Sequence, residues 1–253
     1  MSPFLLNLTR EDRDGHQGYG IKTCASTMDI AWDLVGRNLL PEFAFIRAER
    51  QTHGRGQFGR TWVSAPGNLF ATVRLPDSAG VLDTLLPLAL GLALVRALET
   101  MGAPAQIKWP NDIMLGMSKA GGILVEKKGS VIMAGIGLNI CAAPESSSRE
   151  NFFHIRSGCL TESGVNLEPS DIWTLILEQI KRRLPGMISE PSRIAEDTEA
   201  VLAFQGDPVV LENTGDSDGP ARILGIDPQG RLIIETIKGI RPISRGRISP
   251  RLV

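Results

Sequence analysis

Apolar positions along the chain recur at two periods. From Met28 to Leu40 (MDIAWDLVGRNLL) Ile30, Leu34 and Val35 fall at helical spacing, and Ser26 and Thr27 stand ahead as capping residues. Phe43–Glu49 (FAFIRAE) alternates like a strand, and Asn68–Pro76 (NLFATVRLP) is again β-rich. Between these two runs the polar, Gly/Arg-rich segment Gln51–Arg60 reads as a loop. Asp83–Met101 reads as one long buried helix, ended by Gly102 and Pro104. The runs QIKW, DIML, GGILVEKK and SVIMAGIGLNI follow, separated by turn residues, and predict a meander of strands. Cys141–Pro169 reads as loop, with ESSSRE at its polar centre. Ser170–Met187 is an amphipathic helix in which Ile172, Leu175, Ile176 and Ile180 line one face and Ser170 or Asp171 caps the start. The first 20 residues are polar and read as peripheral.

From Phe204 onward the pattern changes to short strands with turns, as in a small barrel or sandwich. That tail is about 50 residues, near the lower limit for an independent core, so it is expected to pack on the rest. The reading is two units, residues 1–200 and 201–253.

Composition narrows the function. Lys and Arg number 27 against 28 Asp and Glu, a net charge of −1, which argues against a globally basic nucleic-acid binder. Hydrophobic residues make up 42% and charged residues 22%, a globular balance. Cys24, Cys141 and Cys159 form no Cys-x-x-Cys, and His16, His53 and His154 show no ligand spacing, so neither a disulfide framework nor a structural metal is expected. The N-terminus lacks the basic region of a signal peptide. The longest apolar run, Leu85–Leu98, contains Pro87 and Arg96 and falls short of the ~20 residues that span a bilayer. A cytoplasmic, reducing setting is the expectation.

Three segments carry chemistry. In Gln51–Trp62 (QTHGRGQFGRTW), Gly54, Gly56 and Gly59 free backbone N–H groups to approach an anion, and Arg55 and Arg60 add charge. The segment is neither a G-x-x-x-x-G-K-[ST] phosphate loop nor a dinucleotide-binding G-x-G-x-x-G. Lys108–Asp112 (KWPND) places an extended Trp109 before Pro110 and a polar turn, with Lys119 and GGILVE (Gly121–Glu126) beyond. GIGLN (Gly135–Asn139) is a strand with two glycines, a mark of close ligand approach or of a bulge.

Taken in order, Ser26-Thr27, Gln51–Trp62, Lys108–Asp112, Lys119–Glu126 and Gly135–Asn139 resemble the biotin protein ligases. SAPGNL (Ser64–Leu69) fits that series loosely, and the tail from Phe204 is similar to the family's small SH3-like barrel. The resemblance implies an α+β fold, a class II synthetase-like catalytic domain with a mixed sheet flanked by helices. It implies synthesis of biotinyl-AMP from biotin and ATP with Mg2+, then transfer of biotin to one lysine of a biotin carboxyl carrier domain. By the same resemblance Ser26, Thr27, Gln51, Gly54, Arg55, Lys119 and Gly122 are biotin-side positions. A ureido ring offers one acceptor and two donors, which hydroxyl, amide and backbone groups suit. Arg60, Trp62, Asn111, Lys119 and Asn139 match nucleotide-side positions, with Lys119, Arg55 and Arg60 carrying the catalytic charge and Asp112 a magnesium ligand or the pin of its turn. Two anions must meet, so a fixed cation at Lys119 is required by the chemistry. No covalent enzyme nucleophile is needed. Family members range from monomers to homodimers.

Two positions depart from the pattern. Gln57 stands where the family loop has a second arginine, which puts tight retention of the adenylate in doubt, and Met28 replaces the Asn that follows the Ser-Thr pair. Only about 20 residues precede the region of that pair, far fewer than a DNA-binding winged helix needs, so a ligase acting on no nucleic acid and no membrane is expected. The competing readings are a lipoate ligase or octanoyl transferase of the same superfamily, and a biotin or biotinyl-AMP binding protein without turnover.

Overall fold

The computed structural model describes residues 7–13, 15–144, 155–215 and 218–250. The tract 145–150, expected to be loop, lies outside them. Eight strands form one sheet: β1 (Thr9–Arg13), β2 (His16–Cys24), β3 (Phe45–Gln51), β4 (Leu69–Leu75), β5 (Ala105–Lys108), β6 (Asp112–Leu115), β7 (Ser118–Lys128) and β8 (Val131–Leu138). Their spatial order is β1-β2-β3-β4-β8-β7-β6-β5, with β2 and β3 parallel and every other neighbouring pair antiparallel.

Helices cover both faces, and strand alternation decides which residues meet them. On one face α1 (Thr27–Gly36) packs its Ile30, Ala31 and Leu34 against Ile21, Ile46, Ala48 and Met133. On the other, Phe45, Leu69, Ala71 and Val73 meet α2 (Leu86–Thr100) and α3 (Pro169–Ser189). Trp173 of α3 meets Phe45 edge to face, with ring centroids 5.5 Å apart. The apolar α2 is buried nearly all round, from Leu86 to Leu98. It continues a 3₁₀ stretch, Asp77–Leu85, that kinks at Asp83 (φ 43), and the segment Asp77–Thr100 is long and apolar enough to cross a membrane, but its most apolar 18 residues are 72% buried inside the fold.

A short helix α4 (Ser192–Glu199) leads to a second, five-stranded antiparallel sheet. It comprises β9 (Pro208–Glu212), β10 (Gly219–Ile226), β11 (Leu232–Thr236), β12 (Gly239–Ile243) and β13 (Arg247–Pro250), in the order β12-β11-β10-β9-β13. The connection also closes an edge of the large sheet: the Ile107 N–H donates to the Val201 carbonyl (2.8 Å) and the Ala203 N–H to the Ile107 carbonyl (2.9 Å). At the opposite edge, charged β1 is held by the Arg47–Glu11 pair at 2.6 Å, as edge strands are commonly protected.

The α+β architecture and the late change to short strands agree with the sequence reading. The first 20 residues do not stay peripheral throughout: β2 lies inside the sheet, because its alternating buried positions fit between β1 and β3. The cap of α3 lies at Glu168, ahead of the expected Ser170 or Asp171, since Pro169 suits the first helical position. Leu175 is only half-buried; Trp173 and Leu177 fill the core face instead.

Candidate active site

A pocket of about 1020 Å3 of empty space, open to solvent, lies over the middle of the large sheet, between the Gln51–Trp62 segment and the turn before β13. The segment over it is a hairpin. Arg55 bridges Thr61, the Gly56 N–H donates to the Arg60 carbonyl (2.7 Å), and the Trp62 N–H donates to the Gly54 carbonyl (2.8 Å). Gly54 is buried beneath it and outside the lining; a Cβ there would come within 2.4 Å of the Trp62 carbonyl oxygen, so only glycine lets the two arms pair.

One end of the pocket is polar and neutral. The Thr27 N–H and hydroxyl both donate to Gln51 Oε1, at 2.8 and 3.1 Å, and the Thr27 hydroxyl shares a 2.8 Å hydrogen bond with Thr72. Ser26 lines the same end. Thr72 is wholly buried on β4 and carries no motif, which is why the sequence reading passed over it. Met28 also lines the pocket, its Cε lying 3.1 Å from where a Cβ on Gly135 would be.

The other end is charged. Asp112, buried at the start of β6, takes Lys119 Nζ on Oδ1 (2.5 Å) and Lys108 Nζ on Oδ2 (2.7 Å). Burial pushes its carboxyl upward, but the two ammonium groups outweigh burial and hold it below the ordinary carboxylate value. Asn111 anchors the turn by donating to the Ile123 carbonyl (2.7 Å) while lining the pocket. Gly122, Gly135 and Gly137 form the floor. The Trp62 indole lies on that floor: a Cβ on Gly137 would fall 2.5 Å from Trp62 Cε2, and one on Gly122 would fall 3.1 Å from its Cζ3. Its Nε1 is buried with no hydrogen-bond partner, and Lys119 Nζ stands 5.5 Å from the indole centroid.

Arg55 and Arg60 both line the pocket. The Arg55 guanidinium pairs with Asp29 of α1 (2.8 Å) and Glu126 of β7 (3.3 Å), and Glu126 also accepts the Trp32 Nε1–H at 2.8 Å. Asn139 is not brought to the pocket. It is buried past the end of β8, its amide donating to the Gly158 carbonyl (3.1 Å), with its Oδ1 buried and unpartnered. Among the described residues no three His, Cys, Asp or Glu side chains cluster as a metal site would require. Cys24 offers no nucleophile: burial first, and the Asp29 charge second, push its thiol up to about 12.

The site can therefore hold an elongated molecule with a neutral hydrogen-bonding head and an anionic tail. Residues 20–140 match the biotin/lipoate A/B protein ligase family, and residues 209–251 match the biotin protein ligase C-terminal domain. The biotin–[acetyl-CoA-carboxylase] ligase of Paracoccus denitrificans is 31% identical over 217 residues, which is 81% of this chain and 89% of that protein. The chain belongs to the biotin–protein ligase family. A solved Aquifex aeolicus biotin protein ligase in complex with biotin and ATP superposes on this family member with a TM-score of 0.76 and 27% identity, covering 92% of this chain and 98% of that one. The bifunctional ligase/repressor of Escherichia coli is 32% identical, over 81% of this chain and 65% of its own length.

Proposed function

We propose that this biotin–protein ligase activates biotin with ATP and transfers it to a lysine of a biotin carboxyl carrier domain, using residues 1–200 for catalysis with the 201–253 barrel packed alongside, in the cytoplasm. The observation that carries the reading is one pocket with a Thr27–Gln51–Thr72 hydrogen-bonding end and a Lys108–Asp112–Lys119 charged end. Hydroxyl and amide groups at the first end suit the ureido ring, with Ser26, Thr27, Gln51 and Thr72 as its partners. At the second, Lys119 stands where the biotin carboxylate meets the α-phosphate. A carboxylate oxygen bonds to the α-phosphorus, the bond to the β-phosphate bridging oxygen breaks, and pyrophosphate leaves. Lys119 neutralises the charge on the phosphoryl oxygens, a cation already fixed where charge develops needing no reorganisation at the moment of reaction. Arg60, Trp62 and Asn111 form the nucleotide side. In the second step a neutral lysine amine attacks the anhydride carbonyl, AMP departs and the amine loses a proton. Here positioning supplies most of the acceleration.

The donor set does not fit a resident magnesium site: Asp112 is the one carboxylate there, and both its oxygens are engaged by ammonium groups. Mg2+ enters as part of the MgATP substrate, held mainly by phosphates as is usual for this ion. Arg55, paired with Asp29 and Glu126, serves first to hold the hairpin over the polar end.

The deciding experiment measures pyrophosphate release with ATP and either biotin or lipoate, then label transfer to a carrier domain. Biotin-dependent release followed by transfer is expected. Release with lipoate alone, or ATP and biotin binding without release, would overturn the reading.

A further inference from the structure

Trp109 precedes the Pro110–Asp112 turn of the charged end and lines the pocket with it, while its indole nitrogen reaches the join with the second sheet. It is 4% exposed, and its Nε1–H donates to the Gly230 carbonyl oxygen at 2.8 Å in a buried hydrogen bond. Gly230 belongs to the turn between β10 and β11, and that turn is tightly built. Asp227 Oδ1 accepts from the Gln229 and Arg231 N–H groups (3.0 and 2.9 Å), the Gly230 N–H donates to the Asp227 carbonyl (2.8 Å), and Arg231 Nε donates to Asp227 Oδ2 (2.6 Å).

The turn is also pressed against the large domain. Thr84 donates to the Gln229 carbonyl at 2.8 Å, and a Cβ on Gly230 would lie 3.0 Å from Leu85 Cδ2. Gly230 has φ +78, so glycine is needed there on both conformational and steric grounds. The Gly230 carbonyl is thus a fixed acceptor, held from both sides. One peptide unit before Trp109 stands Lys108, and three residues after it Asp112, the carboxylate that holds Lys119.

We propose that Trp109 is a positioning residue for adenylation, and that the Asp227–Arg231 turn, through the Gly230 carbonyl, sets where Lys108, Asp112 and hence Lys119 stand. The proposal rests on the reading of the pocket as the site of biotin activation. The barrel then acts on the chemistry by main-chain geometry, without touching the reacting atoms at this point. Loss of this anchor lets the turn drift. Misplacement on the order of 1 Å costs up to about 10²-fold in rate, so a tenfold loss in kcat follows from a smaller drift.

The test compares Trp109→Phe, which keeps a ring and loses the N–H, with Asp227→Ala, which loosens the turn from its far side. Both are expected to lower kcat for biotin-dependent pyrophosphate release about tenfold, with KM for biotin and ATP within about twofold, because positioning and not binding is lost. Asp227→Asn keeps the oxygen that accepts the two backbone N–H groups and should restore kcat. The double variant Trp109→Phe/Asp227→Ala should be no slower than the slower single, since both act through one hydrogen bond. Unchanged kcat in folded variants, an effect confined to KM, or losses that multiply in the double variant would overturn the proposal. If Trp109→Phe does not fold, the Asp227→Ala and Asp227→Asn pair decides it by the same kcat comparison. A wild-type protein that releases no pyrophosphate with biotin would defeat the functional reading instead, before any variant is compared.

Discussion

At the scale of single residues, charge does most of the work. Lys119 is half-buried and shares Asp112 with Lys108, so its ammonium is held in place before a ligand arrives. Lys119→Ala should lower the rate of biotinyl-AMP formation by ~10²–10³ while leaving the fold intact, the usual cost of losing one preorganised charge contact. Quenched-flow measurement of the adenylate checks it; a near wild-type rate would remove Lys119 from the role. Asp112 carries a pH signature. Its folded-state value lies below the unfolded one, so its contribution to stability is complete above the ordinary carboxylate range and fades as pH falls below ~4. Denaturation of wild type and Asp112→Asn should therefore show a stability gap at pH 7 that narrows by pH 3. Gln57 lines the pocket where a charged side chain would bind an adenylate more strongly, charge-assisted hydrogen bonds being roughly twice as strong as neutral ones. Gln57→Arg should slow dissociation of biotinyl-AMP, and an unchanged off-rate would show that Arg60 already supplies the charge.

At the scale of elements, the hairpin over the pocket is the informative one. Its glycines were legible as a place of close backbone approach, and the structure gives two of them, and two glycines beneath the hairpin, a specific reason. Gly54 lets the two arms pair, Gly59 takes φ +71 at the tip, and Gly122 and Gly137, on the strands below, make room for the Trp62 indole. The tip also carries Phe58, 82% exposed with φ 57, in a backbone region that non-glycine residues seldom adopt. Such a hairpin gains few buried contacts of its own, so ligand must offset the entropy of holding it closed. Proteolysis within 51–62 should slow when biotin and ATP are added together, and equal cleavage with and without them would disprove ligand-dependent ordering. The polar reading of this segment was correct but incomplete. Its pairing depends on a main-chain bridge from Arg55 to Thr61 that leaves no trace in hydrophobic period.

At the scale of the whole molecule, stability and site placement share one core. Phe45 and Trp173 lock α3 to the sheet that carries Gln51 and Thr72 on neighbouring strands. Trp173→Ala should cost about 3–5 kcal/mol, as large aromatic truncations in cores do, measurable as a fall in the denaturation midpoint at an unchanged slope. The sequence alone determined the elements with strong periodicity: α1, the long apolar α2, α3, and the change to short strands after Phe204. It also placed the motif residues in one series, because each motif is local and its chemistry depends on residue type. Only tertiary structure decided what long-range pairing sets. The strand order brings Thr72 beside Thr27 across 45 residues, and Trp109 reaches Gly230 across 121. The same pairing carries Arg55 to Glu126 and leaves Asn139 away from the pocket. Periodicity reports which face of an element is buried; it does not report which other element will cover that face, and the site is made of those encounters.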